Sequence, residues 1–234
     1  MQQRVVITGV GLISPLGNRA DTLWERISQG RSGVDLIQSF PEPAGGPLRI
    51  GGEAREFTGN IDEFGELEKT VKRSVKKGLR LMCREIEMGV ASSQLALQDA
   101  GISTDQFPPE RIGTLFGSDY ILSHPNDLNA GFFRCMNGSG KFHMEEWGEN
   151  GMFQVEPLWL LKYLPNMPAS HVAIYNDLRG PSNSLTMREA SSNAAVAEAL
   201  TTIRRGVADA MLAGATGTRI HPLRSVHVAL QERL

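Results

Sequence analysis

The stretch LRGPSNSLTMREAS, residues 178–191, decides the fold. Gly180-Pro181 predicts a turn, and residues 183–186 after it predict a short strand. From Ser191 to Arg205 the chain is rich in alanine, and Gly206 follows, which predicts a helix with a glycine just past its end. A strand is therefore expected to pass almost directly into a helix.

The rest of the chain continues this alternation. Short apolar runs predict four further strands, at Arg4–Ile7, Arg111–Phe116, His171–Tyr175 and Ala210–Ala213. Three further helices are predicted: one capped by Asn18 or Asp21 and ending near Gly30, one from Met82 to Ala100 closed by Gly101, and one starting at Pro157. Alternating strands and helices predict an α/β fold, with helices layered on a mixed, mostly parallel sheet.

Three segments depart from the alternation. Residues 31–60 are rich in glycine and proline and are expected to form loops. Residues 62–80 are highly charged, which is typical of the solvated face of a helix. Residues 119–155 have no steady hydrophobic period, and we expect a lid-like or interface segment with short helices.

The composition argues against several classes of protein. With 234 residues, 41% hydrophobic and 21% charged, the chain is typical of a soluble globular protein. A formal net charge of -2 gives no reason to expect nucleic acid or an anionic membrane as a partner. No apolar run approaches the roughly 20 residues of a membrane span, and the N-terminus lacks the apolar segment of a signal peptide. Cys83 and Cys135 fit no metal-ligand spacing and suit a reducing compartment, so we expect a cytoplasmic protein without a metal.

Four stretches, in order, carry a family resemblance. They are VVITGVG and SPLGN at residues 5–18, ALQDAG with RIG and GS at 96–118, LPNMPASH with LRGPSNS at 164–184, and GVADAMLAGA at 206–215. Together they closely resemble the N-terminal half of the β-ketoacyl-acyl carrier protein synthases of fatty acid and polyketide synthesis. The resemblance implies a thiolase-like fold, with residues 1–234 as one domain equivalent to that half.

The resemblance also locates the family's nucleophile. In the family a cysteine lies on a strand-to-helix elbow after the Gly-Pro-Ser segment, where a helix N-terminus stabilises the thiolate and backbone N–H groups can hold an oxyanion. Counting forward from Gly180 and backward from Asp209 places Glu189 at this position. Arg188 precedes it, where the family has a small residue.

A carboxylate is poorly suited to the work of that cysteine. Anionic Glu189 would be a weak nucleophile toward a thioester, and its product would be an unstable anhydride. Decarboxylating synthase domains and chain-length factors carry a neutral glutamine here, whereas the charge of Glu189 should repel the carboxylate of a malonyl group. Burial could instead make Glu189 a neutral acid, and the sequence leaves this open. Ser191 and Ser192 are expected to be helix caps, and Cys135 a structural thiol.

Nothing in the chain corresponds to the second half of the family. That half carries two histidines and a lysine that support decarboxylation and condensation. The chain's own histidines are not expected to replace them: His124, His143, His171, His221 and His227. We expect His171 to be a packing or interface residue in a strand, and the last two to lie in loops or at the surface.

A surface for association is implied instead. In the family, the segments that match residues 171–175 and 180–186 lie at the dimer interface, and these segments include His171 and Ser184. Tyr120 and Ile121 match the region that sets chain length. Five apolar residues could either shape a partner's acyl tunnel or fill this chain's own core: Phe132, Phe133, Met136, Phe142 and Met144.

The implied partner is a second copy of the chain or a full-length β-ketoacyl synthase. An acyl carrier protein would be a further partner. The alternative to a solvated helix face in residues 62–80 is a docking patch for such an acidic protein, formed by Lys69, Lys72, Arg73, Lys76 and Lys77.

The sequence thus favours a catalytically incompetent synthase homologue that acts as a chain-length-factor-like partner. No nucleotide cofactor is expected, because Gly9-Val10-Gly11 lacks the later spacing of a dinucleotide motif. Two alternatives stay open. Glu189 could act as an acid or base in decarboxylation or hydrolysis of a carrier-bound acyl group, or the chain could be a fragment of a longer 3-oxoacyl-acyl carrier protein synthase, an acyltransferase.

Overall fold

The computed structural model of the chain describes residues 4–39, 49–102, 104, 106–136, 138 and 140–231. The α-helices in these ranges are α1 Ala20–Ser28, α2 Lys69–Gly78, α3 Arg84–Ala100, α4 Pro125–Arg134, α5 Met167–Asn176, α6 Ser191–Arg204 and α7 Pro222–Gln231. The strands are β1 Val34–Leu36, β2 Ile50–Gly52, β3 Ile112–Ser118, β4 Ser182–Thr186 and β5 Ala210–Thr216. Short 3-10 or π turns lie at Ile61–Phe64, Leu79–Leu81, Pro109–Arg111, Met144–Glu146, Trp147–Gly151, Met152–Gln154, Trp159–Tyr163 and Arg188–Ala190.

A parallel sheet forms the centre of the fold. Its strand order is β4-β3-β5, with Phe116 of β3 opposite Ser184 of β4 and Gly214 of β5. Arg111, just before β3, donates to both carboxylate oxygens of Asp209, just before β5, at 3.0 and 2.5 Å. This pair of hydrogen bonds holds the starts of the two strands side by side.

Helices cover both faces of this sheet. A side chain at Gly89 of α3 would meet the ring of Phe116, whereas a side chain at Gly117 would meet the backbone of Ser191 in α6. Neighbouring residues of a strand point to opposite faces, so α3 and α6 lie on opposite sides of β3. The expected α/β fold with helices layered on a mostly parallel sheet is confirmed.

The hydrophobic core lies on the α3 face of the sheet. All seven residues of β3 are buried. Ile112 and Phe116 contribute to one cluster with Ile86 and Val90 of α3 and Val172 of α5. The helix predicted from Met82 to Ala100 is confirmed as α3, and Gly101 ends it in the left-handed conformation at φ 62°. The strands expected near 111–116, 183–186 and 210–213, and the helix closed by Gly206, are confirmed as well.

The strand predicted at His171–Tyr175 is wrong, because these residues belong to helix α5. Pro168 lies in the first turn, where its missing N–H costs nothing. The buried residues of α5 are spaced three and four apart, as on one helix face; they are Pro168, Ala169, His171 and Val172. This packing against α3 outweighs the β-propensity of Val172 and Ile174.

The strand predicted at Arg4–Ile7 is also wrong. Within the described chain these residues pair with no strand, and Val6 and Ile7 are 66% and 83% exposed. Gly9 and Gly11 follow and run against α3, where Val10 N–H donates to Asp99 at 2.8 Å. The apolar run therefore has the residue types of a strand, but no strand in the described part of the chain pairs with it.

Several element boundaries differ from expectation. The helix predicted from Pro157 is only a short 3-10 turn, Trp159–Tyr163. Asn18 and Asp21 do not cap α1, because its N-cap is Arg19 and has no side-chain cap. Residues 31–60 hold the antiparallel pair β1 and β2, and part of that expected loop, residues 40–48, lies outside the described residues. Helix α7 was not expected from the sequence.

The close approach of the N-terminal segment to α3 gives a first prediction. A Cβ at Gly11 would lie 1.9 Å from the Ser92 carbonyl oxygen, so the Gly11→Ala variant must push the two segments apart. We expect it to lower the free energy of unfolding by about 1–3 kcal/mol in urea denaturation, as overpacking does.

Gly148→Ala is the matched control, because a Cβ there meets nothing within 4 Å. Equal stabilities for the two variants would contradict this packing.

Candidate functional site

The candidate site is the turn that joins β4 to α6. Strand β4 ends at Thr186, residues Arg188–Ala190 form a single 3-10 turn, and α6 begins at Ser191. Arg188 has φ 55°, a left-handed conformation that is uncommon for a residue with a side chain. The chain therefore reverses sharply here and presents Glu189 outside the carboxyl end of the sheet.

Ser191 holds this turn closed. Its hydroxyl accepts a hydrogen bond from Met187 N–H at 2.7 Å and donates one to the Ser118 carbonyl at 2.7 Å. The side chain is 2% exposed, so both bonds are shielded from water. Ser191 is thus a structural residue that ties the turn to β3, rather than a nucleophile or a cap of its own helix. The prediction of Ser191 as a helix cap is wrong, because the N-cap of α6 is Ala190 and the Ser191 hydroxyl bonds Met187 and Ser118 instead.

Gly117 makes this tie possible. A Cβ on Gly117 would lie 2.5 Å from the backbone carbonyl of Ser191, so only glycine allows β3 and the start of α6 to come this close.

Glu189 is paired with an arginine across a cleft. Arg219 Nη2, on the loop between β5 and α7, donates to Glu189 Oε1. The side chains are 67% exposed for Glu189 and 59% exposed for Arg219. The burial that would make Glu189 a neutral acid is therefore absent from this structure.

The cleft between the two loops has a volume of about 210 Å³. Its charged lining residues are Asp119, Arg188, Glu189, Arg219 and Arg224. Two of the arginines have acidic partners, Arg219 with Glu189 and Arg224 with Asp119 at 2.7 Å. Within the described part of the chain, the side chain of Arg188 makes no ion pair or hydrogen bond.

Arg224 also fixes the start of α7. It is 6% exposed, donates to the Tyr120 carbonyl at 2.5 Å and lies 4.5 Å from the centre of the Tyr120 ring. The Tyr120 hydroxyl is 3.1 Å from His227 Nδ1. Tyr120, expected near the acyl pocket, thus attaches α7 to the end of β3 and does not line the cleft.

A larger cleft of about 1150 Å³ lies on the other side of the loop that carries Arg219. His124 and His221 both line it, with ring centres 5.8 Å apart. His221 was expected in a loop or at the surface, but it is only 8% exposed and stands directly before α7. Burial, followed by the charges of His124 and Arg224, lowers the pKa of His221 to about 4.

The other residues expected at a pocket or interface do not gather around Glu189. Ile121 packs against the core, and His171 is buried in α5 with Nδ1 3.0 Å from the Tyr175 hydroxyl. Burial lowers the pKa of His171. Phe132 packs on Phe142 and Trp147 of its own chain, with both ring distances 5.3 Å.

Several of the residues predicted at a tunnel or interface lie on accessible surface. Phe133 is 69% exposed, Met144 is 67% exposed and Phe153 is 80% exposed. Ser184 is half-buried on β4, the edge strand of the sheet. The five basic residues Lys69, Lys72, Arg73, Lys76 and Lys77 are exposed on α2, so the solvated helix face is confirmed, and carrier docking stays a prediction.

Sequence reasoning missed Arg219, Arg224 and His221. Arg219 follows Glu189 by 30 positions and Arg224 follows Asp119 by 105, so no local spacing links the partners. The parallel strand order β4-β3-β5 brings the partners together at one edge of the sheet.

Two kinds of feature are absent from the described residues. No helix there is long and apolar enough to cross a membrane. No group of three or more histidine, cysteine or acidic side chains is arranged to hold a metal ion.

A family model described as "Beta-ketoacyl synthase, N-terminal domain" matches residues 2–232. Among curated proteins, 3-oxoacyl-[acyl-carrier-protein] synthase 2 of Staphylococcus aureus strain COL is 28% identical over 217 residues, which is 92% of this chain and 45% of that protein. The chloroplastic 3-oxoacyl-[acyl-carrier-protein] synthase I of Arabidopsis thaliana is 30% identical over 229 residues, covering 95% of this chain and 42% of that protein. The chain spans less than half the length of these relatives.

Solved structures show the same fold. A β-ketoacyl synthase from Burkholderia phymatum STM815 matches with a TM-score of 0.61 at 26% identity, over 89% of this chain and 45% of that one. The ishigamide ketosynthase/chain length factor matches with a TM-score of 0.69 at 18% identity, over 98% of this chain and 51% of that one. At that identity the second match bears on the fold alone.

The buried serine generates a prediction about the turn. The Ser191→Ala variant leaves Met187 N–H and the Ser118 carbonyl without their partner, and we expect a loss of about 1–3 kcal/mol in the free energy of unfolding. The control Ser192→Ala changes an exposed serine and should cost less than about 0.5 kcal/mol in the same urea titration. A loss as large for Ser192→Ala as for Ser191→Ala would contradict the assigned role.

The buried histidine generates a prediction about acid stability. Because the pKa of His221 is about 4 when folded and about 6.5 when unfolded, the unfolded chain takes up the proton first as pH falls. His221 therefore contributes stability that is complete above about pH 6.5 and is lost toward pH 4. Unfolding free energies measured from pH 8 to pH 4 should fall more steeply for the native chain than for His221→Gln, and parallel curves would refute the prediction.

Proposed function

The chain belongs to the β-ketoacyl synthase family, and we propose that it is a non-condensing, chain-length-factor-like partner of a full-length synthase that carries the nucleophilic cysteine. The observation that carries the proposal is Glu189. The family's motifs align Glu189 with the cysteine, and the residue stands on the turn between β4 and α6. A carboxylate there cannot form a durable acyl thioester.

The surroundings of Glu189 support a non-condensing role. Its carboxylate is bound to Arg219 and open to water, so it has neither the burial of a tuned general acid nor a neighbouring base. His124 and His221 open into the larger cleft and are absent from the residues that line the Glu189 cleft. For these reasons the hypothesis of Glu189 as an acid or base in decarboxylation or hydrolysis is the weaker one.

The edge strand β4 supports association with a second synthase-type subunit. Thr114 N–H of β3 donates to the Pro181 carbonyl, and backbone groups of a strand alternate in direction. Residues 182, 184 and 186 therefore turn their backbone N–H and C=O groups away from β3. Ser182 and Thr186 are exposed, and among the described residues the outward N–H of Ser184 is bonded only to the side chain of Asn183, at 2.8 Å. This open edge could pair with the matching edge of a partner.

A second hypothesis is that these residues form one half of a longer synthase body. The cleft of about 1150 Å³ and the exposed apolar residues Val6 and Ile7 favour it, because a further layer of protein would cover them. The reading frame beyond Leu234 tests it directly: a continuing frame that encodes histidine-bearing family motifs supports this hypothesis, and a stop codon rejects it.

The partner hypothesis predicts a measurable complex. Mixed with cysteine-bearing synthases from the same source, the chain should co-elute with one of them and change the length of its acyl products. No complex with any of these synthases, together with unchanged product lengths, would refute the proposed function.

Ser184→Pro tests the proposed edge. Proline removes an N–H that points away from β3, so the sheet should survive while pairing along β4 is lost. We expect the dissociation constant of the complex to rise about tenfold or more, since several edge hydrogen bonds are affected. The control Ser184→Ala keeps the N–H and should bind as the native chain does; equal affinity of the two variants would place the interface elsewhere.

A further inference from the structure

The cleft beside Glu189 has an excess of positive charge. Three guanidinium groups line it, those of Arg188, Arg219 and Arg224, against the carboxylates of Asp119 and Glu189. Arg224 and Asp119 are committed to each other and are largely buried, with side chains 8% and 17% exposed. The exchangeable charges are therefore Arg188, Arg219 and Glu189. The N-terminus of the 14-residue helix α6 adds positive potential at the same place.

Arg219 has unused binding capacity. One of its N–H groups is bonded to Glu189, whereas a guanidinium offers five donors in a planar fork that matches a carboxylate. Both side chains are more than half exposed, and an ion pair between exposed side chains contributes little free energy. The pair can therefore open, and an external anion can compete with Glu189 for Arg219.

The partners of the pair sit on separate segments. Glu189 is on the turn before α6, and Arg219 is on the loop after β5, so their contact joins two of the segments that line the cleft. The carboxylate of Glu189 is thus already bound to the guanidinium that an external carboxylate would need. The side chain of Arg188, which makes no ion pair or hydrogen bond in the described chain, lines the same cleft.

From this geometry we propose that the cleft is a binding site for a small carboxylate, with Arg219 as the recognising residue and Glu189 as its built-in competitor. The site needs neither a partner subunit nor a condensing nucleophile, so it is independent of the proposed function. The charge of Glu189 sets which ligand charge the cleft prefers. In the native chain one guanidinium is in excess, so the cleft binds a monoanion weakly. When Glu189 is replaced by an uncharged residue, two guanidiniums are available, which suits a dicarboxylate.

The test is a titration of the full chain with malonate, followed by amide NMR on residues of the cleft such as Gly217 and Ser192. Glu189→Gln should bind malonate about five- to tenfold more tightly than the native chain, because a competitor and a like charge are both removed. Adding Arg219→Gln to that variant should abolish the gain. Glu66→Gln, which makes the same change at an exposed glutamate outside the cleft, should bind as the native chain does.

Uncharged malonamide separates carboxylate recognition from general polarity. It should bind Glu189→Gln no better than it binds the native chain. The proposal is overturned if Glu189→Gln gains no affinity for malonate, if the gain survives in the double variant, or if malonamide gains equally. Thermal melts of each variant confirm that the fold is intact, and Arg219→Lys offers a second variant, which should retain part of the gain if charge at this position is what binds.

Discussion

The close approach of β3 to the start of α6 is the contact on which the site depends. Gly117 leaves room for the backbone of Ser191, and the Ser191 hydroxyl then reaches the Ser118 carbonyl at 2.7 Å. A second bond from Met187 N–H to the same hydroxyl fixes the turn from the other side. One small residue and one hydroxyl thus set where β4 ends, where α6 begins and where the intervening side chains point. The left-handed conformation of Arg188 is held by these bonds.

The site is a consequence of parallel strand order. Strands β4, β3 and β5 all deliver their carboxyl ends to the same edge of the sheet, so the three connections that follow them meet there. The connection after β4 carries Glu189, the one after β3 carries Asp119, and the one after β5 carries Arg219. Ligand sites of open α/β sheets commonly lie at this edge. What distinguishes this chain is the chemistry placed there: an anionic side chain and three guanidiniums where the family resemblance implies a thiol and a small residue.

The surfaces left open follow from the same architecture. A three-stranded parallel sheet has two edges. Strand β4 forms one of them, with the backbone N–H of Ser184 pointing away from β3. The apolar run at residues 4–7 has the β-branched composition of a strand, yet Val6 and Ile7 are exposed. Apolar side chains left exposed to water are costly for an isolated unit, and the open cleft beside His221 is a further uncovered surface. These features fit a unit that functions within a larger assembly, whether through its own chain or a partner.

The sequence by itself determined the fold class, the long helix ending at Gly101 and three of the five predicted strands. It also determined the position of Glu189 on a strand-to-helix turn. Local periodicity, glycine conformations and motif order carry that information. It failed at His171–Tyr175, where the burial of Ala169 and Val172 against α3 selects a helix over the β-propensity of the run. It failed at Arg4–Ile7, because a strand exists only where a partner edge is present. Only the tertiary structure decided that Glu189 is exposed and paired with Arg219, that the Ser191 hydroxyl donates to the Ser118 carbonyl, and that His221 is buried. Each of these depends on contacts between segments 30 to more than 100 positions apart or on burial, and local sequence does not encode which distant group a side chain will meet.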